Sequence, residues 1–221
     1  MDFSCGSVAN WKGQLDAYQM RLESLDKPNL LSLDHFYRTE LPLLINGRNP
    51  SPHITVSELS KLVQWKLARG KWRPRLLDMV SSLEEESVKV ASLKAFTAIP
   101  DLKKAISELT VLKGVGPATA SAVLAAYSPD SAPFMSDEAM EAALGTSRDY
   151  SLKQYLLFAD KLHLKAKELS SDTHFFTPSD VERALWSAAV STKSSNSEAR
   201  EEKIAAATTR KRKRRPGIGN V

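Results

Sequence analysis

The phrase Leu112-Lys113-Gly114-Val115-Gly116-Pro117-Ala118-Thr119-Ala120 limits what this chain can fold into more than any other stretch. Two glycines flank one apolar residue between two helical patterns. Upstream, Leu102, Ile106, Leu109 and Leu112 recur at helical steps; downstream, Pro117 opens a second pattern with Ala120, Val123, Leu124 and Tyr127. Proline suits a first helical turn, where its missing N–H is not needed. Gly114 and Gly116 leave no side chain over the main chain and can take positive φ. The expected product is a hairpin whose amides, backed by the positive end of the second helix, hold a phosphate oxygen. A tight turn between two packed helices, with glycine there only for sterics, fits the same residues.

The remaining chain also reads as helices. One carries Trp11, Leu15, Tyr18, Leu22 and Leu25, and a second runs near Leu33 to Leu41. Pro42, Asn46, Gly47, Asn49, Pro50 and Pro52 are expected to break the chain into a loop. Thr55 or Ser57 then caps a helix with Leu59, Leu62, Val63 and Leu67 on one face, stopping at Gly70. Pro74 begins another with Leu76, Leu77 and Val80, and a further one spans about Glu84 to Phe96. Beyond the hairpin, helices are expected near 137–144, 152–169 and 179–190, the last capped by Thr177. No β alternation and no internal repeat is visible. The expectation is an all-α, compact multi-helix domain. Residues 1–53 form an N-terminal helical segment packed on the main domain, and 54–190 form that domain. The Ser-rich, aromatic-free residues 191–221 form a disordered basic tail.

Charge decides where affinity for an anionic polymer would have to come from. The net charge is +5, and six positive charges sit in Arg210, Lys211, Arg212, Lys213, Arg214 and Arg215, so the rest carries −1. The basic run is expected to act as a nuclear-import signal read by an import receptor, and it also fits a phosphate contact. A nuclear location follows from it. Cys5 is the one cysteine. It excludes intrachain disulfides, cysteine-ligated zinc and a protein-held iron–sulfur cluster, and it suits a reducing compartment. His35, His53, His163 and His174 share no metal-ligand spacing, so no metal is expected. No apolar run reaches the roughly 20 residues a bilayer span needs, so no membrane partner is expected. The start, MDFSCGSVANWK, has neither the basic region nor the apolar core of a secretory signal.

Taken whole, LTVLKGVGPATASAVL resembles the helix-hairpin-helix phrase of the endonuclease III and 8-oxoguanine glycosylase superfamily, which reads roughly LPGVGxKTA. Lys113 stands where that family usually has proline. The resemblance covers about residues 57–145 and is specific across 106–140; by grouping it is similar to a eukaryotic Amun-like branch. It implies a DNA-glycosylase-like helical domain that binds double-stranded DNA in base excision repair. Gly114, Val115, Gly116 and Thr119 would form the phosphate grip, with Lys113 adding charge. Asp137, nineteen residues after Ala118, falls on the aspartate that supports an oxocarbenium-like transition state. Ala118 occupies the position of the strand-cutting lysine and offers no amine, so any enzyme would be monofunctional, without a lyase step. The resemblance implies no cofactor beyond a monovalent cation at the hairpin. Around Asp137 the chain reads Phe134-Met135-Ser136-Asp137-Glu138, away from the family's V-D-T/G-x-V, and Ser136 or Asp137 also suits a helix cap.

A second candidate surface is Trp65-Lys66-Leu67-Ala68-Arg69-Gly70-Lys71-Trp72-Arg73-Pro74-Arg75. Arg69, Lys71, Arg73 and Arg75 would hold phosphates while Trp72 stacks on a base or wedges into the duplex. Trp65 reads as core. Two other functional classes fit the chain: a catalytically silent DNA-binding regulator or scaffold, and a helical protein–protein adaptor whose hairpin is only structural.

Overall fold

A computed structural model describes residues 1–70, 73–145, 149–171 and 174–192. The chain runs through α1 (Val8–Asp16), α2 (Tyr18–Glu23) and α3 (Leu30–His35), which continues through a π turn (Phe36–Glu40) into α4 (Leu41–Asn46). Then come α5 (Val56–Arg69), α6 (Pro74–Ser81), α7 (Glu85–Ala98) and α8 (Leu102–Leu109). The last four are α9 (Pro117–Tyr127), α10 (Asp137–Leu144), α11 (Leu152–Leu169) and α12 (residues 178–192). Among the described residues there is no strand, only an isolated bridge between Ser171 and His174. No described helix is long and apolar enough to cross a membrane.

Caps explain where the helices start. At α5, Thr55 Oγ1 accepts the Glu58 amide while Glu58 Oε2 accepts the Thr55 amide, so two orphan donors are satisfied reciprocally. The same exchange opens α12, between Thr177 and Asp180. Asp101 accepts the Lys104 amide ahead of α8, and Ser151 the Gln154 amide ahead of α11. Pro42 does not break the helix as its residue type suggests. The preceding turn widens to π pairing, with the Leu41 amide donating to Phe36 O, and the helical path runs on to Asn46. A π turn re-satisfies backbone groups that a proline would otherwise disrupt.

The core is built around α9. Every residue from Ala118 to Ala126 is buried, and the helix packs against α4, α5, α7, α8 and α11. A helix apolar on all sides belongs in an interior. Its many alanines let the neighbours come close, and the π turn delivers Tyr37 so that its hydroxyl donates to Ala122 O at 3.0 Å. The N-terminal helices are tied to α5 by a polar knot. Buried Asp34 accepts from Tyr18 Oη and Trp65 Nε1, both at 2.7 Å, and faces Arg38 Nε at 3.3 Å. Trp65 stacks on Tyr37 with ring centres 3.6 Å apart. It is core, as its sequence context suggests.

Candidate nucleic-acid interface

The turn between α8 and α9 uses its two glycines differently. Gly114 sits at φ +86°, and a Cβ there would lie 3.2 Å from Met79 Cβ, with Val80 and Leu76 close behind. It is required by the backbone and by the close approach of α6. We expect Gly114→Ala to destabilise the fold by about 2–3 kcal/mol, from left-handed strain plus the clash. A thermal melt should record it as a drop of roughly 5–10 °C; a Tm unchanged within a degree would contradict the assignment. Gly116 is the N-cap of α9 at φ −94°, ψ 178°, ordinary extended backbone, and a Cβ there would meet nothing within 4 Å. The fold therefore does not require glycine at 116. It leaves open space beside the start of α9.

Val115 and Thr119 take other roles than a phosphate grip. The Val115 side chain is buried and its amide donates to Leu112 O at 3.0 Å, so the residue anchors the turn in the core. Thr119 is buried too; its amide donates to Gly116 O, and its hydroxyl accepts from Lys66 Nζ at 3.2 Å. Of the expected grip, Gly116 is exposed, Gly114 half-buried, and the Lys113 side chain exposed.

The hairpin opens onto a cleft of about 580 Å³. One wall is the end of α5 (Lys66, Arg69, Gly70), and another the start of α9 (Gly116 to Thr119). The start of α10 (Ser136, Asp137) and Trp186 of α12 complete it. Three contacts fix Asp137 at the mouth of α10. The Met135 amide donates to Ser121 Oγ of α9 at 3.0 Å, the Ser136 hydroxyl donates to Glu182 of α12 at 2.5 Å, and Tyr150 Oη donates to Asp137 Oδ1 at 2.5 Å. Ser136 occupies the N-cap position of α10 but spends its hydroxyl on Glu182 rather than on capping.

Arg69 is not a phosphate ligand. It is buried, paired through Nη2 with Glu182 at 2.7 Å, and its guanidinium lies 4.3 Å from the Trp186 ring and 5.2 Å from Trp65. Arg73 and Arg75 are exposed, and Arg73 lines the cleft. Lys71, Trp72 and the run 210–215 lie outside the described residues. Among the described residues no three of His, Cys, Asp and Glu gather as a metal site would require.

One residue of the cleft was not singled out from sequence. Lys66 is half-buried between α5 and α9, and burial, with Arg73 adding to it, pushes its ammonium down to about 8, against partial support from Asp137. The sequence did contain a signal. Leu59, Leu62, Lys66 and Arg69 recur at helical steps, so the apolar stripe of α5 runs straight into two cations that the fold must cover. Comparison of the chain with family models, curated proteins and solved structures returns no match.

Proposed function

We propose that the chain is a nuclear protein that binds double-stranded DNA through the hairpin between α8 and α9, and that it is a monofunctional base-excision glycosylase with Asp137 as its catalytic group. One observation carries this reading. Gly116, open to solvent and needed by no packing contact, and Asp137, held by Tyr150 and preceded by two residues tied to α9 and α12, face the same cleft. A duplex backbone docked on the start of α9 would meet the Gly116 amide and the positive end of a buried helix, with Lys113, Arg73 and Arg75 as phosphate partners. A base turned out of the stack would then enter the space in front of Asp137, where a carboxylate can stabilise positive charge on the sugar and position water. The basic run 210–215 would carry the import signal.

The test uses Gly116, because there the needs of the fold and of the ligand separate. Gly116→Leu should lower unfolding stability by no more than about 1 kcal/mol, the cost of a poorer N-cap residue with no packing clash. Its duplex affinity should fall at least tenfold, about 1.4 kcal/mol, at fixed salt. Wild-type binding should weaken steeply with salt as counterions are released. Unchanged binding by the variant would remove the hairpin from the interface, and wild type that binds no duplex would leave the adaptor reading standing.

A further inference from the structure

We propose that a second cleft, at the far end of α9, binds a small apolar carboxylate through Arg38 and Arg183. This site does not rest on the DNA reading, and it shares one lining residue, Phe134, with the hairpin cleft.

The cleft holds about 380 Å³, a size suited to a small molecule. It lies where α9 ends and α12 begins, with the π turn into α4 as its third wall. The negative pole of α9 and the positive pole of α12 oppose one another there, so side chains decide the sign of the site. The π turn supplies Arg38 and α12 supplies Arg183, both half-buried. The two guanidiniums sit 4.6 and 5.9 Å from the centre of one ring, Tyr18. Arg38 spends Nε and Nη2 on Tyr18 Oη, with Asp34 3.3 Å from Nε, and Arg183 spends Nη2 on Asp180 Oδ1 at 2.6 Å. Among the described residues nothing accepts from the Nη1 of either, and Arg183 Nε is buried without a partner. Burial, together with the like charge of Arg38, holds the Arg183 guanidinium below its ordinary value. Two desolvated cations with donors left unspent cost stability when no anion joins them. An anion seated between them relieves the repulsion and takes up the donors.

Charge selects which anion. Asp34 and Asp180 already face one cation each, and Glu182, also at the cleft, is spent on Arg69. The cleft therefore has donors to spare but little net charge. That balance suits a monoanion and disfavours a dianionic phosphate, which the neighbouring carboxylates would repel at close range. A carboxylate presents two coplanar oxygens, the shape that the edge of a guanidinium matches. Pro42, Ala125, Ala126 and Phe134 line the rest of the cleft and offer an apolar body a surface to cover.

The test titrates phenylacetate, phenylacetamide and phenyl phosphate into the full chain, followed by calorimetry and by NMR of isotope-labelled arginine Nε–H groups. It is run above neutral pH, where the phosphate ester is a dianion. The expected result is saturable binding of phenylacetate with a Kd of about 1 mM or tighter, and at least tenfold weaker binding of the amide and of the ester. The Arg183 Nε–H signal, identified by its loss in Arg183→Lys, should shift when phenylacetate is added to wild type. Arg183→Gln, with an intact fold checked by thermal melt, should weaken phenylacetate at least tenfold. Should that variant fail to fold, Arg183→Lys keeps the charge beside Asp180 but loses the planar fork, and should also bind more weakly. Gly116→Leu should bind phenylacetate as wild type does, and duplex DNA should not displace it. No saturable binding, amide or ester bound as tightly as the acid, or binding unchanged by loss of the Arg183 fork would each overturn the proposal. Displacement of phenylacetate by duplex would place the anion in the hairpin cleft and overturn it as well, leaving the DNA reading intact.

Discussion

Glu182→Ala should lower unfolding free energy by about 3–5 kcal/mol, the loss typical when one partner of a buried ion pair is removed. Glu182 Oε1 is the shared acceptor of Arg69 Nη2 at 2.7 Å and Ser136 Oγ at 2.5 Å, and both members of the ion pair are almost wholly enclosed. Arg69 Nε and Nη1 have no hydrogen-bond partner among the described residues; their surroundings are the faces of Trp65, Phe134 and Trp186. Aromatic faces attract a cation but do not replace a carboxylate. Without Glu182 the guanidinium would be a buried charge with no counter-ion. The double replacement Arg69→Met with Glu182→Leu should recover most of the loss, because it removes the desolvated charges together. Urea denaturation with an unchanged m-value reads both effects. A single-variant loss under about 1 kcal/mol would show that the pair is not enclosed as described.

Asp137→Asn should reduce base release from lesion-bearing duplexes by about 10²–10⁴-fold, the range for removal of a positioned proton-transfer group. Duplex affinity should stay within about twofold, because the contacts proposed for the hairpin do not involve this side chain. Asparagine keeps the shape and still accepts from Tyr150 Oη, so the change tests charge and basicity rather than packing. Single-turnover release, measured across a panel of damaged and mismatched duplexes, separates the possibilities. Release that survives the substitution removes Asp137 from the mechanism. No release by wild type from any duplex, with binding intact, selects the silent regulator.

Much of the architecture was legible because local rules and global packing agree. The apolar steps of α5 and α8, the Thr55 and Thr177 caps and the Pro117 start all act within a few residues, where sequence patterns speak directly. Pro42 misled because its effect depends on the turn before it, and nothing in the residue types announces π pairing there. Arg69 misled for a different reason. A cation near a helix end usually reaches solvent, and its burial requires Glu182, more than a hundred positions away, together with two distant rings. Long-range pairing of that kind leaves no local trace. Val115 and Thr119 do lie at the turn between two helices that the sequence marks out, but which atoms a turn spends internally is decided by neighbours such as Lys66 and Leu112. The position of Asp137 was readable, whereas the Tyr150 hydroxyl that holds it was not.

The seating of α9 has a mechanical corollary. The helix is enclosed along its length, Val115 is plugged into the core, and Gly114 rests on α6. The hairpin thus has almost no freedom to adjust to what it touches, so under the proposed function a docking duplex would have to supply the bending itself. Stiff, perfectly paired DNA resists that distortion most, and a weakened or mispaired step resists it least. Discrimination between sound and faulty DNA would then begin in the compliance of the double helix, before any side chain inspects a base.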